Sequence, residues 1–162
     1  MEKIIRQVRD VELSEYVARH VRARLRRGWQ NAASGVSALG RNGVYVEGWI
    51  VVNKSHPVVT EHGWCEVDGR IVDPSYAPSL NTLDPPVAYA PGMHFNRNEA
   101  AMALRRNRLP VSWARRDQSY RQSFDAAWRE ATRVAGVSSP DPARVVNCRH
   151  EPFDVFIGRP SE

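Results

Sequence analysis

The sequence predicts an α+β fold: an antiparallel sheet with helices packed on it. Three observations carry that expectation. Apolar residues recur every three or four positions from Val11 to Leu25 and again from Asp117 to Val134, the period of an amphipathic helix. Between them, residues 44–52 are dense in β-branched and aromatic side chains, the composition of a strand. Asp68-Gly69 separates two further strand-like runs, and both residues tolerate the positive φ of a two-residue hairpin turn.

The chain has 162 residues, enough for one domain with a substantial core. The spacing sets a first helix over Val11–Leu25, with Asp10 as N-cap and Leu13, Tyr16, Val17, His20, Val21 and Leu25 toward the core. His20 is read there as a structural residue. Trp29–Leu39 is a second helix, rich in small residues that allow close packing, and Gly40, Asn42 and Gly43 end it. Residues 44–52 form a strand, and the strand carrying His62 follows a turn near Asn53–Pro57. Ser75–Phe95 reads as a long loop, because prolines stand at 78, 85, 86 and 91. Asn96–Asn107 is a third helix with Asn96 or Asn98 near its start. The helix from Asp117 to Val134 carries Tyr120, Phe124, Trp128 and Ala131 as a core stripe, with Asp117 as its cap. The domain is expected to span 1–135, a linker 136–143, and a strand-like tail 144–162. That tail either packs on the main domain or opens a second, truncated one.

Composition narrows the function classes. No apolar run approaches the ~20 residues needed to cross a bilayer, and Met1–Arg6 is no signal peptide, so no membrane partner is expected. Cys65 and Cys148 form neither a disulfide framework nor a zinc pattern, so the expectation is a cytoplasmic protein with no metal and no cofactor. Net charge is +5, and arginines cluster at 22–27, 105–108 and 115–116. These clusters are solvated helix faces or, alternatively, a surface for nucleic acid or a protein partner.

The hairpin is the most informative segment. With Asp68-Gly69 as its loop, Val67 faces Arg70 and Trp64 faces Asp73. His62, Trp64, Glu66, Ile71 and Asp73 then share one face. His62 is the diagonal neighbour of Asp73, roughly 7–8 Å away between backbones and within side-chain reach. A carboxylate that orients an imidazole is two-thirds of a nucleophilic triad. Cys65 points to the opposite face. Ser34 and Ser37 lie more than a turn into their helix, and Cys148 lies beyond the linker. None of these is placed to complete the triad. Glu47 is expected to face solvent.

The order of helix, strand, strand with histidine and strand with aspartate resembles the transglutaminase-like branch of the papain-like cysteine enzymes. The resemblance covers roughly Arg27 to Pro110. Gly28-Trp29-Gln30-Asn31-Ala32 stands where such proteins carry Cys-x-x-Asn-Ala or a similar run. Tyr45-Val46-Glu47-Gly48-Trp49 resembles their preceding strand, and His62-Gly63-Trp64 and Asp73-Pro74-Ser75 resemble their His-Ala-Trp and Asp-Pro-Thr. The family implies a thiolate at the helix N-terminus, activated by the helix and the imidazole, and acyl transfer or amide hydrolysis on a peptide or amide-bearing substrate. By the same resemblance His62 is the base, Asp73 orients it, and Gly28 occupies the nucleophile position without a side chain. Trp64 is a pocket wall, and Trp29, Gln30 and Asn31 contact substrate. The glycine admits three readings: a natural pseudoenzyme that keeps its groove, a deliberate replacement of cysteine, or a shifted alignment in which His62 and Asp73 are structural. A second resemblance lies in the tail, where Val146–Arg149 and Phe153–Pro160 look like the first hairpin of a small bacterial and phage domain of unknown function.

Overall fold

The computed structural model describes residues 9–52, 56–82, 84–114, 118–137 and 156–157. Its chain order is α1 (Val11–Val21), α2 (Gly28–Ala38), β1 (Val44–Val52), β2 (Val58–Val67), β3 (Arg70–Val72), two 3-10 turns (Pro74–Tyr76 and Pro78–Leu80), β4 (Pro86–Phe95), α3 (Arg97–Arg105), a 3-10 turn (Val111–Ala114), α4 (Gln118–Ala135) and β5 (Phe156–Ile157). The strands form an antiparallel sheet in the order β3-β2-β1-β4, and the two residues of β5 pair with Val58 and Val59 of β2. The fold is therefore α+β with an antiparallel sheet.

The hairpin register matches the expectation: Val67 pairs with Arg70, and Asp68 and Gly69 hold φ of 48° and 75°. Side-chain alternation then sorts the sheet into two faces. On one face, Tyr45, Cys65, Val67, Val72 and Phe95 pack against Val17 of α1, Ala32, Ala33 and Val36 of α2, and Ala100 of α3. On the same face Trp49, Val51, Val59, Ala88 and Ala90 meet Phe124, Ala127, Trp128 and Ala131 of α4. The aromatic stripe of α4 is core, with Trp49 edge-on to Trp128 at 4.5 Å. The other face carries Val46, Ile50, Trp64, Ile71 and Tyr89, with Tyr76 packed against them.

Several expectations are corrected. The segment Ser75–Phe95 is not one long loop, because its second half is the ten-residue strand β4. Proline argues against a central strand, but among the described residues β4 is an edge strand paired only with β1. Pro91 sits where the register to β1 shifts between Glu47 and Gly48, so its missing N–H interrupts little. Helix α1 ends at Val21, four residues early, on Arg22 in the left-handed conformation. Its buried side is Ser14, Val17 and Ala18, while Tyr16, His20 and Leu25 are exposed. The apolar stripe was not the deciding signal, because Ser14 turns inward to bind the backbone N–H of Asp73 at 2.9 Å. Asn96 caps α3 in a full capping box with Glu99. The expected cap at Asp117, most of the linker and most of the tail lie outside the described residues. No described helix is long and apolar enough to cross a membrane.

Candidate functional site

The site forms where the N-terminus of α2 meets β2 and the chain leaving β3. His62 Nε2 lies 3.0 Å from Asp73 Oδ2. With Oδ2 accepting, the pairing fits the tautomer that carries its proton on Nε2 and leaves Nδ1 as an acceptor. Nδ1 faces Gly28. A β-carbon on that glycine would stand 2.8 Å from His62 Nδ1 and 2.7 Å from Cε1. Gly28 is not among the glycines at positive φ, so no turn requires it; the glycine makes room for the imidazole.

Asp73 is fully buried and densely bonded. Its Oδ1 caps the following 3-10 turn by accepting from the Ser75 N–H at 3.0 Å. Its Oδ2 also accepts from the Tyr89 hydroxyl at 3.0 Å. Burial, and then the charge of Asp73, raise the Tyr89 pKa well above its ordinary value, so the phenol stays a donor. Tyr76 stands edge-on to the His62 ring at 5.5 Å between centroids. His62 itself keeps 11% of its side chain exposed, so the imidazole reaches solvent from a recess.

The structure brings Gly28, His62 and Asp73 together. It places the other expected site residues differently. Trp64 is fully buried and packs edge-on against Tyr89 at 5.2 Å. It supports the dyad from within the core and is no exposed pocket wall. The Asn31 side chain is occupied by the fold: its oxygen accepts from the Arg24 N–H, and its nitrogen donates to the Arg24 carbonyl and to Ser75 Oγ. Trp29 lies across Gly63, where a β-carbon would meet its Cδ1 at 2.8 Å. Gln30 is partly exposed in the first turn of α2. Cys65 is buried on the far face and its thiol donates to the Ala32 carbonyl at 3.1 Å. Burial pushes that thiol well above its usual pKa.

Glu47 overturns its expectation most clearly. It is fully buried, not solvent-facing. Its carboxylate accepts from the Tyr45 hydroxyl at 2.7 Å, the Val111 N–H at 2.6 Å and the Ser112 N–H at 2.8 Å. Burial raises its pKa, and the hydrogen bonds partly offset the rise. Glu47 thus closes the 3-10 turn after α3 onto the sheet, and alternation along β1 sets it on the helix-covered face. Tyr89 could not be placed from sequence because its strand was hidden by prolines. Among the described residues, no cluster of three or more histidine, cysteine, aspartate or glutamate side chains could hold a metal ion.

A scan against protein-family models, a search of curated proteins and a search of solved structures each find nothing that matches this chain.

Proposed function

We propose that this chain is a transglutaminase-like, papain-like cysteine-enzyme frame that lacks its nucleophile and binds a peptide or amide-bearing ligand. One observation carries the reading. The β-carbon position of Gly28, at the first residue of α2, falls 2.8 Å from the free nitrogen of an imidazole whose other nitrogen is held by Asp73. A cysteine there would sit at a helix N-terminus beside a histidine, the two influences that turn a thiol into a thiolate. The ancestral chemistry would be acyl transfer or amide hydrolysis through a thioester. Glycine supplies no atom for that bond, so the reading is a pseudoenzyme.

The test is Gly28→Cys. The ring or the helix end must retreat by about 0.7 Å to admit the β-carbon, and the new thiol should then alkylate near neutral pH. That reactivity should fall sharply when His62→Ala is added. A thiol that titrates near the ordinary ~8.5 and ignores His62 refutes the reading.

A further inference from the structure

We infer that Tyr89 is a positioning residue for His62: through the Asp73 oxygen they share, its hydroxyl tempers the hold of the carboxylate on the imidazole. The inference rests on the reading of His62 as the base of the cysteine-enzyme frame, and it names the residue that sets the strength of that base.

The contact spans the sheet. Tyr89 stands on β4 and Asp73 follows β3, at the two ends of the path β3-β2-β1-β4. Four strands laid flat would put those ends roughly 14 Å apart. The sheet curls over Trp64 instead. The Tyr89 ring lies edge-on to that indole at 5.2 Å, and its hydroxyl reaches Asp73 Oδ2 at 3.0 Å. Tyr89 is buried, and a phenylalanine would fill the same apolar space. What the hydroxyl adds is the bond to Asp73.

The shared oxygen gives that bond its effect. His62 Nε2 and the Tyr89 hydroxyl both lie 3.0 Å from Oδ2, while Oδ1 accepts from the Ser75 N–H. The negative charge of Asp73 favours a proton on the imidazole. A phenol donating to the same oxygen stabilises that charge separately and leaves less of it for the ring. Other titratable or charged groups face this network. Tyr76 and Cys65 feel the charge of Asp73, Arg9 opposes it at Tyr89 and Tyr76, and Asp84 adds to it at Tyr76. Among the described residues, the side chains that hydrogen-bond the Asp73 carboxylate are His62 and Tyr89.

Tyr76 therefore supplies the control. Its ring stands edge-on to His62 at 5.5 Å, without a bond to the carboxylate. The sign of the effect separates tuning from support. If the hydroxyl only braced Asp73, its loss would loosen the pair and weaken the ring's hold on a proton. If it competes for Oδ2, its loss strengthens that hold.

The experiment follows the His62 ring protons by NMR against pH in the full chain, with the resonance assigned by its absence from His62→Ala. In Tyr89→Phe the titration midpoint should rise by about 0.5–1 pH unit relative to wild type. In Tyr76→Phe it should stay within about 0.2 unit of wild type. Replacing tyrosine by fluorotyrosine throughout keeps the bond and makes the phenol a stronger donor, so the midpoint should fall. That arm decides the matter where Tyr89→Phe does not fold. No shift or a fall in Tyr89→Phe, an equal rise in Tyr76→Phe, or no fall with fluorotyrosine would overturn the inference. The Gly28→Cys assay is separate. A His62-dependent thiol without a Tyr89 effect on the ring removes the tuning role and leaves the cysteine-enzyme reading standing. A Tyr89 effect beside a thiol that ignores His62 does the reverse.

Discussion

Replacing Gly28 by alanine should destabilise the protein, against the usual sign of that substitution. Glycine to alanine at a helix position of ordinary φ stabilises by about 0.4–1 kcal/mol, because the unfolded chain loses freedom. Gly28 has such a backbone, yet the added methyl would lie 2.7 Å from His62 Cε1 and 2.8 Å from Nδ1. Ordinary carbon contacts begin near 3.4 Å, so the ring or the helix must retreat by about 0.7 Å. The ring is bound to Asp73 at 3.0 Å and flanked by Tyr76, so the retreat strains or breaks that bond. A hydrogen bond to a buried charged group contributes about 1.5–3 kcal/mol. The net expectation is a loss of about 1–2 kcal/mol, or roughly 2–4 °C of melting temperature per kcal/mol for a chain of this size. Urea denaturation of wild type, Gly28→Ala, His62→Ala and the double variant forms a cycle. In the His62→Ala background the same glycine substitution should regain its stabilising sign. If Gly28→Ala stabilises equally with and without His62, the contact between them does not exist.

Glu47→Gln should cost about 1–3 kcal/mol in chemical denaturation, because an amide cannot accept from all three donors and leaves a buried N–H opposed by another donor. The raised Glu47 pKa also sets a pH signature. The unfolded chain ionises first, near the ordinary 4.5 of a glutamate, so the stability tied to this group is full below that pH and declines as pH rises through the folded value. Stability–pH curves of wild type and Glu47→Gln should therefore converge over that window, and parallel curves would refute the assignment. Tyr89→Phe removes one of two side-chain donors to Asp73 Oδ2 and should cost about 1–2 kcal/mol, read as a lower melting temperature. Cys65 should resist alkylation in the folded protein and react only on unfolding; rapid native labelling at that position would contradict its burial.

Local signals with a mechanical cause were readable from the chain. Asp68-Gly69 determined the turn, the turn determined the register, and the register put His62 within reach of Asp73. The start of α3 near Asn96 and the aromatic stripe of α4 were readable for the same reason, whereas the capping box with Glu99 came only with the structure. What stayed hidden depends on tertiary context. Pro86 and Pro91 mask β4 because only the assembled sheet reveals it as an edge strand with a bulge. Tyr89, and with it half the support of Asp73, disappears with that strand. Glu47 looked like a solvent-facing residue because its three donors come from a hydroxyl two residues away and from backbone some sixty residues later. Tyr16 and Leu25 fit an apolar stripe, but the docking of Ser14 on Asp73 rotates α1 away from them.

Asp73 and Gly28 carry unequal responsibilities. The aspartate ends β3 and ties itself to α1 through Ser14, to β2 through His62, to β4 through Tyr89 and to its own 3-10 turn through Ser75. The three atoms nearest the glycine's would-be β-carbon all belong to His62. A side chain at position 28 is therefore felt first at one imidazole, whereas removal of the Asp73 carboxylate loosens four elements together.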